Sequence, residues 1–337
     1  MSLHDPADPS LLDSLARMGL LRDGEVPRIE ALTGGVSSDI FRVDLPGGPI
    51  CIKRALARLK VSADWFAPVE RNLIEVAYLR YASDVVPGAV PAILASDEHG
   101  LAFAMPYLAP DRHPVWKNEL RDGRIDLRLA AQVGDILGRL HSASARDAAL
   151  PARFATDEAF YALRLEPYLA ATAARHPERA ARLSGLLATT ASTRRVLVHG
   201  DVSPKNILCG PTGPVLLDAE CAWFGDPAFD LAFCLNHLLL KTLWRPDHAP
   251  AFDQAFEALT RAYLARVDWE PAPALEARTA ALLPALNLAR VDGKSPVEYL
   301  TQDAQRAFVR RAALPLLDTP SASLADTLRR WREKSHG

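Results

Sequence analysis

The feature that most constrains this chain is the stretch 196–218, in which two apolar runs enclose a polar loop. The apolar run 196–198 predicts a short buried strand, and the chain becomes apolar again at 207–208, after the loop. Proline and glycine then predict a turn into a second strand, 215–217, which ends at an acid. The loop and the strand end bring together three side chains that carry oxygen: Asp201, Asn206 and Asp218. We interpret this stretch as the active site.

The spacing of these three residues indicates a particular chemistry. Asn206 follows Asp201 at the interval that separates the catalytic-loop aspartate from the asparagine in protein kinases. In those phosphoryl-transfer sites a more distant aspartate holds magnesium, which is the position of Asp218. Gly200 stands where protein kinases usually carry arginine, and this difference points to enzymes that act on small molecules.

Neighbouring motifs extend the pattern. They are His199-Gly200-Asp201 with Asn206-Ile207-Leu208, Asp218-Ala219-Glu220, Gly225-Asp226-Pro227 and Asp230-Leu231-Ala232. In this order they closely resemble the aminoglycoside phosphotransferase and choline kinase-like enzymes, whereas His-Gly-Asp alone would be a weak signal. The resemblance implies an α+β, protein-kinase-like fold with a small β-rich N-terminal lobe and a larger, mainly helical C-terminal lobe. Residues 1–108 would be the nucleotide-binding lobe with a leading helix, and residues 109–337 the lobe with the catalytic loop, metal site and acceptor pocket.

Composition limits the classes of function. The 337 residues are 49% hydrophobic, which suits a large core in two lobes, and the net charge of −2 gives no argument for nucleic acid or membrane surfaces. The cysteines form no C-x-x-C pair, the chain starts without a secretory pattern, and no apolar stretch is long enough to span a bilayer. We therefore expect a cytoplasmic protein whose partner is a small molecule. Its oligomeric state stays open.

A glycine-rich segment near the N-terminus is a candidate phosphate contact. Gly34 and Gly35, followed by Ser37, stand between two β-rich segments. Glycine permits close backbone approach, and free N–H groups attract anionic oxygens. Such a pair is more often only a turn, but the motif at Asp201 favours phosphate contact.

A lysine and a glutamate are expected to pair in the small lobe. An alternating strand at 49–54 places Lys53 where kinase-like enzymes carry the lysine that orients phosphates, although an isolated surface lysine is the alternative. The helix predicted over 68–80 offers Glu70 and Glu75 as partners. We choose Glu75, which precedes the hinge as the partner glutamate does in the enzymes that this chain resembles. Glu70 is close to the helix start and can simply favour the helix dipole.

Two more strands, 89–95 and 101–108, complete the predicted small lobe. The end of the second strand would be the hinge, where backbone groups can hydrogen-bond the edge of an adenine. Pro106 can supply a carbonyl group but has no N–H, so the donor would come from Leu108.

The sequence from Pro110 onward favours helices. Apolar stripes predict them over 127–142, 160–169, 179–187, 229–243, 251–267, 274–288, 301–317 and 324–332. His141 is expected to be a core histidine. In kinase-like folds the aspartate equivalent to Asp230 holds N–H groups of the catalytic loop; an ordinary helix-start acid is the alternative. Gly293-Lys294-Ser295 matches the end of a Walker A motif, but Leu288 replaces the required glycine, so we reject a P-loop.

Oxygen-bearing side chains indicate the metal. Asn206, Asp218 and Glu220 suit Mg²⁺, a hard cation that shares its coordination with phosphate and water, and no zinc pattern is present. Asp218 and Glu220 would face the same side of an extended strand. Glu220 is therefore a candidate second metal ligand or outer-shell group, with a solvated loop acid as the alternative.

These expectations describe an ATP-dependent phosphotransferase that uses Mg²⁺ and acts on a hydroxyl of a small molecule, such as an aminoglycoside, an amino alcohol or a sugar. Lys53 would orient the α- and β-phosphates and pair with Glu75. Asn206 and Asp218 would hold the metal. Asp201 would position the attacking hydroxyl and accept its proton.

The sequence leaves two alternative functions open. The run 218–225 looks somewhat like methylthioribose kinases, although Ser203-Pro204-Lys205 differs from their usual catalytic loop. A catalytically silent, nucleotide-binding regulatory protein of the same fold is the second, and the intact Lys53 and Asp201 argue against it. Lys205 is either a γ-phosphate contact or a solvent-facing lysine.

Overall fold

The computed structural model describes residues 9–22, 24–32, 38–56 and 70–335. Its first part is an antiparallel sheet with strand order β1-β2-β3-β5-β4. The strands are β1 (Arg28–Leu32), β2 (Ser38–Leu45), β3 (Gly48–Ala55), β4 (Ala95–Asp97) and β5 (Ala102–Pro106). Helix α1 (Pro9–Arg17) precedes the sheet, and α2 (Arg71–Val85) follows β3. We call this part the small lobe.

One strand prediction for the small lobe was wrong. The segment 89–95 was expected to be a strand, but only its last residue belongs to β4. Pro91 lies inside the segment, has no N–H and restricts the residue before it, so it interrupts a ladder. The carbonyl of Ala89 instead accepts the N–H of Leu216, at 2.8 Å. This segment therefore connects the small lobe to the helical part of the chain.

The second part is mainly helical, and we call residues 116–335 the large lobe. Its helices are α3 (Trp116–Arg121), α4 (Leu127–Ser144), α5 (Leu150–Arg153), α6 (Asp157–Phe160), α7 (Ala171–Arg175), α8 (Ala180–Ser192), α9 (Pro227–Trp244), α10 (Ala249–Leu264), α11 (Ala272–Asp292), α12 (Asp303–Asp318) and α13 (Leu324–Ser335). Two short strand pairs lie among them: β6 (Val196–Val198) with β9 (Trp223–Gly225), and β7 (Ile207–Gly210) with β8 (Gly213–Leu216).

The α+β, kinase-like fold expected from the sequence is confirmed, and so are the helices expected over 127–142, 229–243 and 274–288. The segment expected to be a helix at 160–169 is a π-helix, Tyr161–Ala170, with Pro167 inside it. Proline removes an N–H from the regular ladder, which favours such a local change of helix type. The lobe boundary at residue 108 stays a prediction.

Helix α9 forms the centre of the large lobe. It begins after Asp226, whose carboxylate accepts the N–H of Ala228 at 3.1 Å, and Pro227 occupies its first turn. Nearly every residue of α9 is buried, which is expected for a helix that is apolar all round and lies between other helices. No helix in the described ranges is both long and apolar enough to cross a membrane.

Helices α4 and α10 pack unusually close to one another at Gly134. A Cβ atom on Gly134 would stand 2.3 Å from the backbone oxygen of Leu259 on α10. No real Cβ comes this close to a backbone oxygen, so the helices would have to separate. The absence of a side chain at this position therefore sets their distance, and α4 in turn contacts α9 through His141 and Asp230.

We expect Gly134→Ala to destabilise the protein and Gly185→Ala to stabilise it. Both glycines are helical, but a Cβ on Gly185, on the exposed side of α8, would meet nothing within 4 Å. Alanine gains about 1 kcal/mol of helix propensity at both positions, whereas overpacking at Gly134 costs about 1–3 kcal/mol. Urea unfolding of the two variants measures the difference. Equal stabilisation of both would contradict the close packing of α4 and α10.

Candidate active site

Lys53 lies at the centre of a buried cluster of charges. It is on β3, its side chain is almost fully buried, and its Nζ lies 2.7 Å from Oε2 of Glu75 on α2. The same Nζ lies 2.5 Å from Oδ1 of Asp218, which follows β8 in the large lobe. One ammonium group therefore joins a carboxylate of each lobe.

The pKa values reflect this sharing of one positive charge. Burial opposes the charged form of Lys53, but Asp218 and Glu75 together raise its pKa. Burial raises the pKa of Glu75 to about 7, against the attraction of Lys53 and with the help of Asp218. Burial also disfavours the ionised form of Asp218, but Lys53 and Lys205 outweigh it and hold its pKa well below the usual range. The lysine is thus charged, and Asp218 is the ionised partner.

Asp218 has an unusual backbone. Its φ is 69°, in the left-handed region that costs most residues about 1–3 kcal/mol and recurs at functional sites. Asparagine and aspartate tolerate this region better than other side chains do. This conformation turns the chain away from β8, and the carboxylate of Asp218 lies beside Lys53.

Glu220, expected as a further metal group, has a protein partner. Its Oε2 lies 2.9 Å from Nε of Arg71, and both side chains are buried. Arg71 opens α2 and also donates to the carbonyl of Leu56 at 2.6 Å. Glu220 therefore connects the metal-side loop to α2, an arrangement that agrees better with an outer-shell group than with a loop acid in solvent.

The catalytic turn requires glycine at position 200. Gly200 has a φ of 81°, and a Cβ there would stand 2.6 Å from the backbone oxygen of Cys221. A side chain is excluded both by this conformation and by the neighbouring segment. The glycine that separates this sequence from protein kinases is therefore a steric requirement of the turn.

Asp230, at the start of α9, fixes the turn from below. Its two carboxylate oxygens accept the backbone N–H groups of His199 and Gly200, at 2.7 and 2.8 Å. The ring of His141 contacts the same carboxylate at 3.2 Å and Tyr263 on its other side at 2.8 Å. All these groups are buried, so the role expected for Asp230 and the core position expected for His141 are confirmed.

His199 connects this hydrogen-bonded turn to Asp201, the candidate base. Burial lowers the pKa of His199, which keeps its ring neutral. Its Nδ1 accepts the backbone N–H of Asp201 at 3.2 Å, and Tyr78 of α2 packs edge-on against the ring. The backbone of Asp201 is thereby tied to the core of both lobes.

Two cations hold the carboxylate of Asp201. Nη2 of Arg164 lies 3.0 Å from Oδ2, and Nζ of Lys205 lies 3.2 Å from the same atom. Arg164 also donates to the carbonyl of Gly200 at 2.5 Å. The sequence analysis did not single out Arg164, which lies on the π-helix; an arginine between Leu163 and Leu165 in an apolar segment was the available signal.

Asn206 is fixed by hydrogen bonds of its side chain and its backbone. Its Nδ2 donates to the carbonyl of Asp201 at 3.1 Å, and its own carbonyl accepts the N–H of Leu217 at 2.8 Å. The second bond brings the backbone of Asn206 beside the residue that precedes Asp218, and no donor among the described residues contacts the side-chain oxygen of Asn206. Within the described ranges no group of three His, Cys, Asp or Glu side chains is placed to hold a metal. Two oxygen donors suit Mg²⁺, which usually retains water and binds phosphates.

The structure places the remaining expected residues as follows. Tyr107 donates its N–H to the carbonyl of Pro49 at 3.4 Å, just after Pro106 ends β5. Among the described residues no acceptor contacts the N–H of Leu108, and its expected contact with an adenine stays a prediction. The expectations for Gly34, Gly35 and Ser37 fall outside the described residues.

This arrangement defines a kinase-like phosphotransferase. A buried lysine pairs with a helix glutamate, an aspartate follows a strand beside it, and a second aspartate lies in a rigid turn near an asparagine. Phosphoryl transfer needs such positioned charges more than covalent chemistry. The comparisons with known proteins agree with this class.

The profile of the phosphotransferase enzyme family (APH) matches residues 28–275, and the chain belongs to this family. A methylthioribose kinase of Bacillus velezensis is 27% identical over 287 residues, and the match covers 75% of this chain and 71% of that protein. A choline/ethanolamine kinase family protein of Mesorhizobium loti superposes with a TM-score of 0.53 at 18% identity, covering 96% of this chain and 99% of that one. The amicoumacin kinase hAmiN, solved with AMP-PNP and Ca²⁺, gives a TM-score of 0.60 at 15% identity, covering 96% and 97%. The protein is a small-molecule kinase.

We expect Asp230→Asn to lower the free energy of unfolding. An amide has only one accepting oxygen, so one buried N–H of His199 or Gly200 loses its acceptor, at a cost of about 1–3 kcal/mol. The control is Asp135→Asn, which removes a partly exposed pair with Arg266 worth about 1 kcal/mol or less. Urea unfolding measures both variants. Equal, small effects would show that Asp230 does not hold the turn.

Proposed function

We propose that this kinase transfers the γ-phosphoryl group of ATP to a hydroxyl of a small metabolite, with Mg²⁺ as the divalent ion. The observation that carries the proposal is the position of Asp201, whose carboxylate lies in a rigid turn and is bound by Arg164 and Lys205. A carboxylate fixed in this way can orient a hydroxyl and take its proton as the new bond forms.

Lys53 is the proposed phosphate contact. It is charged, buried and held by Glu75 and Asp218, so its ammonium can orient the α- and β-phosphates of ATP without searching rotamers. Leu108 would donate its N–H to the adenine edge and Pro106 would offer its carbonyl. Phosphate contact remains the proposed role of the glycine-rich segment with Gly34, Gly35 and Ser37.

Asn206 and Asp218 are the proposed ligands of Mg²⁺. The ionised carboxylate of Asp218 and the amide oxygen of Asn206 are hard donors, and Mg²⁺ prefers such oxygens. When bound, the ion neutralises charge on the phosphates. Glu220 would act from outside the coordination sphere, because Arg71 engages one of its oxygens. The neighbour hAmiN, solved with AMP-PNP and Ca²⁺, supports nucleotide and divalent-metal use.

Lys205 and Arg164 have a proposed part in the transfer. Both lie on the Oδ2 side of Asp201, so they keep this carboxylate in place, and they bring positive charge next to the position of the γ-phosphate. Charge of this sign stabilises the phosphoryl oxygens as the bond to the leaving group lengthens.

A sugar hydroxyl is one proposed acceptor class. The methylthioribose kinase relative acts on a ribose derivative by its name, and it matches three quarters of this chain. The silent regulatory protein is the weaker alternative, since Lys53 is charged and paired and Asp201 is held in place.

We expect Asp201→Asn to retain nucleotide affinity but to lower turnover. The amide keeps the size of the side chain but loses its basicity, and lost general-base assistance costs roughly 10²–10⁴-fold. ADP release in a screen of sugars, amino alcohols and aminoglycosides, followed by titration of AMP-PNP, measures both quantities on one preparation. Asp135→Asn is the control. Turnover near that of the parent would remove Asp201 from the catalytic role.

A further inference from the structure

Two buried cations of the large lobe form no ion pair with a carboxylate among the described residues. Lys241 on α9 is 1% exposed and Arg290 on α11 is 8% exposed. Within the described residues, no acidic side chain forms an ion pair with either one. Buried charges without a counter-charge are costly and rare in proteins. The groups that surround these two side chains must therefore explain how their charge is tolerated in the folded protein.

Lys241 packs against two aromatic rings. Its Nζ stands 4.5 Å from the ring centre of Trp244 and 4.1 Å from that of Tyr299, and these rings stack on one another at 4.7 Å. Among the described residues, no hydrogen-bond acceptor contacts this ammonium. The aromatic faces attract the cation but offer it no hydrogen bond. The ammonium thus keeps its donors for another group.

Arg290 is also incompletely satisfied. Its Nη1 donates to the hydroxyl of Tyr168 at 2.9 Å and to the carbonyl and hydroxyl of Ser295, at 2.6 and 3.1 Å. Its Nε is buried and has no partner among the described residues. Ser295 belongs to the Gly-Lys-Ser run that the sequence analysis rejected as a P-loop, and its role here is to orient the guanidinium.

A continuous set of contacts links these cations to the candidate base. Arg164, which binds Asp201, stacks over Phe233 at 5.9 Å. The ring of Phe233 lies 5.5 Å from Tyr168, the partner of Arg290, and 5.7 Å from His237. His237 in turn contacts the hydroxyl of Tyr299, which covers Lys241, at 3.2 Å. Contacts through three intervening side chains therefore link Arg290 to Asp201, and contacts through four link Lys241 to it.

The electrostatic balance of this region is positive. Burial lowers the pKa of His237, and the nearby charges of Arg290, Lys241, Lys205 and Lys117 lower it further. The facing acid is Glu298, and it is already paired with Lys117. Cations of helices α3, α9 and α11 thus lie around His237, and a ligand with negative charge would offset their charge.

We propose that Lys241 and Arg290 bind an anionic group of the acceptor, a carboxylate or a phosphate, while its hydroxyl lies at Asp201. The inference rests on the proposed function and narrows its acceptor to anionic hydroxyl compounds. Arginine binds carboxylates and phosphates through two parallel N–H groups, and lysine acts as a point charge. The same geometry disfavours cationic acceptors, because Lys241 already occupies the aromatic faces that would receive them.

The proposal predicts a pH dependence. Burial lowers the pKa of Lys241 to about 7; the nearby charges of Lys117 and Arg290 also lower it, and Glu298 raises it. The other titratable groups that face Lys241 are Tyr299 and His237, whose ring is neutral. The ammonium is protonated below this pKa and loses its proton above it. Affinity for an anionic acceptor should therefore fall as the pH rises from about 6 to about 8. In Lys241→Arg, whose guanidinium stays charged, it should not.

The test is calorimetric titration of the full chain saturated with AMP-PNP and Mg²⁺. The probes are D-glycerate, sn-glycerol 3-phosphate, glycerol and ethanolamine. The anions should bind at least about tenfold more tightly than glycerol, since hydrogen bonds to charged groups are the stronger ones. Preference for glycerate assigns a carboxylate, and preference for glycerol phosphate assigns a phosphate.

Variants separate this site from the nucleotide site. Lys241→Met and Arg290→Gln should each weaken anion binding about tenfold and leave AMP-PNP affinity unchanged. Lys241→Met removes a buried unpaired charge and so should fold at least as well as the parent. Tightest binding of glycerol or ethanolamine, binding of none of the four probes, or unchanged anion affinity in Lys241→Met would overturn the proposal. Failure of the parent protein to bind AMP-PNP would instead count against the proposed function.

Discussion

The structure depends on one shared positive charge. Lys53 is bound by Glu75 of the small lobe and by Asp218 of the large lobe, so a single ammonium connects the sheet, helix α2 and the strand that leads to the active site. Buried charges are favourable only when their partners are well placed. Two carboxylates share one cation here, which leaves surplus negative charge, and burial, with a smaller contribution from Asp218, raises the pKa of Glu75 to about 7. A divalent cation at Asp218 would offset that charge, which is the electrostatic argument for a metal in this place.

A second buried acid organises the reaction centre in the same way. Asp230 accepts two backbone N–H groups of the catalytic turn and contacts His141, so helices α4, α9 and α10 all bear on one loop. Gly200 allows the turn to pass against Cys221. Neither contact involves a substrate, yet both decide where the carboxylate of Asp201 stands. Phosphoryl transfer relies on such positioning, and the fold supplies it from the core outwards.

Motif spacing made much of this predictable. Short motifs from His199 to Ala232 resemble those of a known enzyme family, and that resemblance implied the fold and the chemistry together. The structure adds the physical reason for one of them, since Gly200 lies in a left-handed turn. The partner of Glu220 was not predictable, because Arg71 lies 149 positions away in the chain and no local pattern links them. Arg164 stands out as a charge in an apolar segment, but nothing in that segment indicates that it contacts Asp201. The interrupted strand at 89–95 shows the opposite error, where apolar alternation was weighted above Pro91.

The most direct test of this account is the thermal stability of the protein with AMP-PNP, measured as Mg²⁺ is added. A ligand that binds only the folded state raises the melting temperature in proportion to the logarithm of its concentration over Kd. The account predicts a magnesium-dependent rise for the parent and for the surface variant Asp135→Asn. It predicts no such rise for Asp218→Ala, in which the proposed metal carboxylate is absent. An equal magnesium-dependent rise in Asp218→Ala would contradict the account.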